Sequence, residues 1–158
     1  DQELSNAIYS LVRLGYSPGE DFVKAWETAF LAQRSIDLQA MSNSIRSFAM
    51  MKRPLSNKIR RRVLSDIDPL FRASSVTSLV QFISSVIRYP DVSAFQSLYR
   101  VWWKSLEAKL NDGIRLYDFI EILTSCSRFE YQPPPKFLLI FYQQFAKRHS
   151  EVRPAHLS

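Results

Sequence analysis

Apolar side chains recur at every third or fourth position along most of the chain, a spacing that places them on one face of an α-helix. Two kinds of stripe alternate, one with the spacing i, i+4, i+7 and the other with the spacing i, i+4, i+8. The pattern predicts an all-α fold of about eight amphipathic helices. The first kind comprises Leu4/Ile8/Leu11, Met41/Ile45/Phe48, Leu79/Ile83/Val86 and Phe119/Leu123/Cys126, and the second comprises Phe22/Trp26/Phe30, Ile59/Val63/Ile67, Leu98/Trp102/Leu106 and Phe137/Phe141/Phe145.

The two kinds of stripe recur together with a period of about 38 residues. Leu4–Leu14 (LSNAIYSLVRL) and Met41–Met51 (MSNSIRSFAMM) keep Ser, Asn, Ile and Ser in register, and Leu79–Tyr89 and Phe119–Phe129 continue the series. A period of roughly 20 to 50 residues is typical of repeat architectures. Each repeat is predicted to be a helical hairpin that packs on its neighbours, so we expect an α-solenoid of about four stacked hairpins.

Turn signals containing Pro, in one case with Gly, lie between the two stripes of each repeat, at Gly15–Gly19, Arg53-Pro54, Tyr89–Asp91 and Gln132–Pro135. They predict a single domain over the whole chain. Its repeats are expected at about 1–35, 36–74, 75–113 and 114–152, with 153–158 as the start of a truncated fifth repeat. The chain is therefore expected to be part of a longer solenoid.

The hinge of the fourth unit carries a family resemblance. PPPKFL at Pro133–Leu138 follows a helix end of the form Ser-x-x-Arg-aromatic, and this resembles the octotricopeptide repeat, whose second helix opens with prolines, a polar residue and an aromatic-Leu pair. The stretch LSNAIYSLVRLGYSP is similar to the first helix of that repeat and of the heptatricopeptide and FAST-kinase-like repeats. The second unit has Pro54-Leu55 in place of the proline run. The resemblance implies an organellar RNA-binding protein, mitochondrial or alternatively chloroplast, including components of some divergent mitochondrial ribosomes.

Composition narrows the class of protein. The apolar fraction of 46% excludes a disordered tail, and only three glycines argue against glycine-rich phosphate loops and most β architectures. The longest apolar run, Phe137–Tyr142, is far shorter than the roughly 20 residues of a membrane-spanning helix, so no membrane association is expected. A formal net charge of +6 favours a polyanionic partner.

Most of the positive charge lies in the second repeat, where eight basic and three acidic residues between positions 36 and 74 give +5. Six of the basic residues fall within the run KRPLSNKIRRR, which is predicted to bind phosphates as an outward-facing ridge. A nuclear-localisation-like run and a basic surface for acidic protein are the alternatives. The six are Lys52, Arg53, Lys58, Arg60, Arg61 and Arg62.

A second set of candidate RNA-binding residues lies on the first helix of each repeat, away from the apolar stripe. Side chains able to hydrogen-bond base edges share one slot, which suits recognition of about one base per repeat. An ordinary solvated face is the alternative, and the basic residues at the helix ends either contact phosphate or complement the helix dipole. The candidates are Asn6, Asn43 and Gln81 in the shared slot, which Glu121 also occupies, Tyr9 and Arg46 beside it, and Arg13, Arg88 and Arg128 at the helix ends.

Catalysis and metal binding are not expected. His149 and His156 lack Cys or carboxylate partners at ligand spacing, so no enzyme activity, cofactor or metal is predicted. Trp103 lies one residue outside its stripe and is expected to be an interface anchor or a stacking platform for a base, with packing in the groove between repeats as the alternative. Cys126 lies on the stripe and is expected to behave as a small apolar residue.

Together these features predict an RNA-binding helical-repeat protein of an organelle. We expect it to be a structural component of a large ribonucleoprotein such as a mitochondrial ribosome. Its expected partners are RNA, with ribosomal RNA as a candidate, and neighbouring proteins of the particle. The alternative is a protein–protein scaffold of the HEAT or armadillo type without direct RNA contact.

Overall fold

The computed structural model describes residues 2–110 and 114–148, which form eight α-helices and one short 3-10 helix and contain no strand. The all-α prediction is confirmed for this part of the chain. Three of the four predicted turn signals lie between helices, and the fourth ends at Pro135, the first residue of the last helix. The helices are α1 Gln2–Arg13, α2 Glu20–Ala32, α3 Leu38–Met50, α4 Asn57–Ala73, α5 Val76–Val86, α6 Gln96–Glu107, α7 Leu116–Arg128 and α8 Pro135–Arg148, and the 3-10 helix is Val92–Phe95.

Some predictions concern residues outside the described ranges. These are the predicted boundary at residue 113 between the third and fourth repeats, the two histidines His149 and His156, and the start of a fifth repeat at 153–158. Within the described ranges, no helix is long and apolar enough to cross a membrane.

Local sequence signals explain where several helices begin. Asp37, Ser56 and Ser75 are the N-cap residues of α3, α4 and α5, and each side chain accepts a hydrogen bond from the backbone N–H three residues later. This contact satisfies one of the backbone donors that a helix start leaves unpaired. Asp37 makes the shortest of the three, at 2.6 Å to the nitrogen of Ala40.

The ends of α1, α3 and α7 share one backbone motif. Gly15, Lys52 and Glu130 follow these helices with φ values of 88°, 53° and 51°. In each case the next residue donates its N–H back to the carbonyl five residues earlier, as in a Schellman C-cap. The three bonds are Tyr16 to Leu11 at 3.1 Å, Arg53 to Phe48 at 3.0 Å and Tyr131 to Cys126 at 2.9 Å. The same chain reversal therefore follows three of the four odd-numbered helices.

The helices contact one another in two sets. The odd helices touch in the order α1, α3, α5 and α7, and among the even helices α2 touches α4 and α4 touches α6. Ring contacts join the two sets, because Phe48 of α3 lies 5.5 Å from Trp26 of α2, and Phe82 of α5 lies 5.2 Å from Phe71 of α4. The apolar core therefore lies between the odd and the even helices.

Small residues let the odd helices approach closely. Ser5 of α1 and Ser44 of α3 are fully buried, and their hydroxyl oxygens lie 3.2 Å apart. Ser42, Ser44 and Ser47 donate their hydroxyls to carbonyls four residues earlier in α3, so these buried polar groups are satisfied. Of the serines that recur in the first two repeats, Ser5, Ser42 and Ser47 are therefore packing residues, whereas Ser10 is exposed.

Burial corrects parts of the predicted stripes. Phe22 is 40% exposed, and Val23 is buried one position further along α2. Trp103 is buried, with its ring 5.4 Å from Phe137 and 5.1 Å from Tyr131. The packing alternative for Trp103 is therefore confirmed, and the stacking-platform alternative is wrong because no solvent-facing ring remains. Cys126 is buried among apolar residues, as predicted.

Candidate nucleic-acid interface

One polar surface crosses the exposed side of the odd helices, and we call the part on α1, α3 and α5 the odd-helix face. On α3 it consists of Gln39, Asn43 and Arg46. At 100° per residue these positions lie opposite the buried Met41 and Ile45. The surface therefore looks away from the even helices and is open to a ligand.

An amide ladder joins the first two of these helices. The Asn43 side chain donates from Nδ2 to Oδ1 of Asn6 at 2.8 Å, and its own Oδ1 accepts from Nε2 of Gln39 at 3.0 Å. Asn6 and Asn43 occupy the same slot in successive repeats, so α1 and α3 lie side by side in register. The structure thus brings together two residues that the sequence repeat had paired.

A guanidinium–ring pair lies beside the ladder. The guanidinium carbon of Arg46 lies 5.9 Å from the ring centre of Tyr9, within the range of a cation–π contact. Both side chains are half-buried. They border a cleft of about 310 Å³ that crosses α1, α3 and α5, and this cleft is lined by Asn6, Tyr9, Gln39, Ser42, Asn43, Arg46, Gln81 and Ser85. The cleft collects five of the predicted RNA-binding residues.

The corresponding slot on α7 has a different environment. Glu121 is 9% exposed and accepts hydrogen bonds from Ser84, from Arg88 at 3.2 and 3.4 Å, and from the hydroxyl of Tyr117 at 3.1 Å. Arg88 also donates to the backbone oxygen and the hydroxyl oxygen of Ser84. Glu121 and the predicted RNA-binding residue Arg88 are therefore engaged with each other between α5 and α7.

The hydrogen bonds fix the charge of this carboxyl group. Burial by itself raises the pKa of Glu121, but the hydrogen bonds from Ser84, Arg88 and Tyr117, together with the positive charge of Arg88, outweigh it and lower the pKa. Glu121 is therefore ionised at neutral pH and forms an ion pair with Arg88.

A second surface adjoins the odd-helix face where each odd helix turns into the next even helix. We call it the turn edge, and it consists of residues 14–19, 51–56, 87–95 and 129–134 with the helix ends that flank them. Neighbouring turns touch, because Arg53 pairs with Glu20 and donates to the carbonyl of Pro18 at 3.2 Å. Leu55 donates its N–H to the hydroxyl of Tyr89 at 2.5 Å. Three successive turns therefore form one continuous border.

Positive charge on the turn edge is concentrated at its second turn. Lys52 and Lys58 are exposed there. Asp91 and Glu130 place negative charge near the later turns. The predicted residues at this edge are Arg13, Lys52, Arg53, Lys58, Arg88 and Arg128, of which Arg53 and Arg88 are in ion pairs. The structure thus places the helix-end arginines and the first part of the basic run on one border.

The rest of the basic run differs from the predicted outward ridge. Arg62 donates to the backbone carbonyls of Gln33 at 3.1 Å and Arg34 at 3.2 Å, and it pairs with Asp66 at 2.7 Å. The predicted outward projection of Arg62 is therefore wrong, because its guanidinium contacts the C-terminal end of α2. Arg60 contacts Asn57, whereas Arg61 is exposed as predicted.

Sequence reasoning missed several members of these surfaces. Gln39 lies four residues before Asn43, and the helical spacing places it on the same outward face, but it was not among the predicted RNA-binding residues. Ser84 contacts Glu121 from α5, 37 residues away in the sequence, and no local pattern signals that contact. Tyr117 lies four residues before Glu121 on α7, the same spacing as that of Gln39 and Asn43. A charged residue in a slot that otherwise holds amides was a further sign.

Among residues 2–110 and 114–148, no group of three or more His, Cys, Asp or Glu side chains is placed to hold a metal ion. Comparison of the chain with protein-family models, curated proteins and solved structures finds no match.

Proposed function

We propose that the chain is an α-solenoid of four stacked hairpins that binds RNA without catalysing a reaction. Three repeated features support the solenoid. The odd helices touch in sequence order, and the same C-cap follows α1, α3 and α7. Trp26 donates from Nε1 to the carbonyl of Leu4 at 3.0 Å, and Trp102 makes the same bond to Leu79 at 2.9 Å. These bonds join the two helices of the first and third hairpins at equivalent positions.

The observation that carries the RNA-binding proposal is the junction of a polar cleft with a basic border. The cleft offers amides, a guanidinium and an aromatic ring, which are the groups that recognise unstacked bases. The turn edge offers Lys52 and Lys58 to the phosphates, which supply most of the affinity in nucleic-acid binding. A single strand with its bases toward the cleft and its backbone along the edge would contact both.

The proposed location in the cell is inferred from the hinge at Pro133–Leu138 and the first helix, which resemble the octotricopeptide repeat. On that basis we propose an organellar protein, mitochondrial or alternatively chloroplast, that acts within a large ribonucleoprotein such as a mitochondrial ribosome. The ligand would then be ribosomal RNA or another organellar transcript, and neighbouring proteins of the particle would be further partners.

A protein scaffold is the second candidate function, and a feature of α8 favours it. Leu139, Tyr142 and Phe145 are exposed on this helix at 58%, 64% and 36%. Such apolar exposure is typical of surfaces that contact protein. Under this alternative the chain would bind a neighbouring subunit through α8 and would not contact RNA.

A titration of labelled single-stranded RNA by fluorescence anisotropy at several salt concentrations tests the RNA proposal. We expect the double variant Lys52→Gln/Lys58→Gln to weaken binding and to flatten the salt dependence, because each lost phosphate contact removes about 0.7 from the slope of log affinity against log salt.

The matched control is Lys104→Gln/Lys109→Gln, which removes the same charge at the end of α6 remote from the turn edge. We expect this control to retain most of the affinity and to leave the salt slope unchanged. Equal losses in both double variants would indicate attraction to the net charge alone, and an absence of RNA binding by the unmodified protein would contradict the proposal.

A further inference from the structure

We infer that the cleft across α1, α3 and α5 holds one unstacked nucleobase, stacked on the Arg46 guanidinium and hydrogen-bonded by the amide ladder. The inference rests on the proposed RNA binding and adds to it the position and the chemistry of a single base site. Its ligand class is a base of single-stranded RNA, because the bases of a duplex are stacked and do not expose their faces.

The stacking surface is formed by two neighbouring side chains. The guanidinium carbon of Arg46 lies 5.9 Å from the ring centre of Tyr9 at the border of the cleft. A guanidinium plane and an aromatic ring are both surfaces on which RNA bases stack. Because the pair is formed before binding, little side-chain entropy would be lost when a base arrives.

The side-chain amides of the cleft bond to one another and keep part of their hydrogen-bonding capacity for a ligand. Asn43 uses one amide hydrogen on Asn6 and its oxygen on Gln39, which leaves hydrogen-bonding capacity on the amide nitrogen of Asn6 and the amide oxygen of Gln39. Gln81 on α5 is exposed at the far wall. The cleft therefore presents both donors and acceptors, as the edge of a base requires.

The buried hydroxyls of the cleft add acceptors. Ser42 donates to the carbonyl of Leu38 at 2.7 Å, and Ser85 donates to the carbonyl of Gln81 at 3.0 Å. With their hydrogens committed to the backbone, the two oxygens can only accept. The exocyclic amino group of a base would find acceptors at this depth. An anionic group needs hydrogen-bond donors, and these two hydroxyls offer none.

The position of the cleft relative to the turn edge indicates where the phosphate backbone of a bound strand would lie. Arg46 lies one helical turn before the end of α3, and Lys52 follows that end. A base stacked at Arg46 would therefore leave its ribose and phosphate pointing toward the exposed lysines of the second turn. Base and phosphate contacts are thus adjacent but carried by different residues, so they can be tested separately.

Two oligomers distinguish the contributions, a single-stranded RNA octamer and an octamer of equal length and charge that lacks bases. We expect the unmodified protein to prefer the RNA by at least about fivefold, the lower limit for stacking of one base. Arg46→Met and Tyr9→Leu should each remove most of that preference. Tyr142→Leu, a change of an exposed tyrosine on α8, is the matched control and should retain it.

Side-chain amide signals in a nitrogen–proton correlation spectrum provide a direct readout. Nucleoside 5′-monophosphates should shift the signals of Asn6, Gln39, Asn43 and Gln81, and ribose 5-phosphate should not. Lys52→Gln/Lys58→Gln should weaken the binding of both octamers by the same factor, which separates the phosphate contacts from the base site.

The outcomes distinguish the two proposals. Binding of both octamers with equal affinity by the unmodified protein would overturn the base site and leave RNA binding intact. Amide shifts with an extended peptide and none with nucleotides would also overturn it, in favour of a protein ligand. Failure of the RNA octamer to bind would overturn RNA binding itself.

Discussion

The two ends of the polar surface on the odd helices show how equivalent positions acquire different properties. Asn6 and Asn43 occupy the shared slot on α1 and α3, where they form an amide ladder at the wall of an open cleft. Glu121 occupies the same slot on α7, where it is buried and bonded to Ser84 and Arg88. The first end has unused hydrogen-bonding capacity for a ligand, and the second has used its capacity within the protein.

The difference follows from the cost of burying charge. An exposed amide that loses one partner can bond to water, so the ladder contributes little to stability. A carboxylate removed from water must be compensated by donors and a positive charge, and Ser84, Arg88 and Tyr117 supply them. A polar side chain at a repeated position is thus available to a ligand only where its neighbours do not use all of its hydrogen-bonding capacity.

The largest expected effect is on the stability of the α5–α7 contact. Glu121→Ala should lower the free energy of unfolding by about 2–3 kcal/mol, because it leaves Arg88 and Ser84 without their shared acceptor. Asn6→Ala, the matched change in the equivalent slot, should cost within about 0.5 kcal/mol. Chemical denaturation followed by circular dichroism measures both values. Equal losses would show that the two ends do not differ as described.

The second effect is a dependence on pH that only one end of the surface should show. The folded-state pKa of Glu121 lies below its ordinary value of 4.5, so its stabilising contribution is complete above that value. The contribution should be lost as the pH falls through the lower, folded-state pKa. Denaturation midpoints measured between about pH 6 and about pH 3 should therefore fall more for the unmodified protein than for Glu121→Gln.

The control for this measurement is Glu130→Gln, which neutralises an exposed carboxylate in the turn that follows α7. Its pH profile should match that of the unmodified protein. A profile of Glu121→Gln that also matches the unmodified protein would place the acid sensitivity elsewhere.

Much of the helical framework could be predicted from the sequence because it depends on local spacing. The apolar stripes and the proline-containing turns identified the helices, and the shared slot paired Asn6 with Asn43 before their contact was known. Trp26 and Trp102 were placed in the core by the same periodicity. Such features require only that a helix has a constant angle per residue.

The remaining features depend on contacts between residues distant in the chain. Arg62 shares its basic run with the exposed Arg61, yet the C-terminal carbonyls of α2 bind it. Trp103 was one residue outside its stripe and is nevertheless buried between α6 and α8. The spacing of residues within one helix does not predict which side chains a neighbouring helix will contact. Only the structure therefore shows which polar side chains are exposed and which are bonded to another helix.

The proposal that RNA binds to the odd-helix face and the turn edge is tested most directly by photocrosslinking. Single-stranded RNA containing 4-thiouridine would be crosslinked to the protein, and the modified peptides would be identified by mass spectrometry. We expect crosslinks in α1, α3 and α5 and in the turn at 51–56. Crosslinks confined to the exposed side of α4 around Arg61, or to α8, would contradict the account.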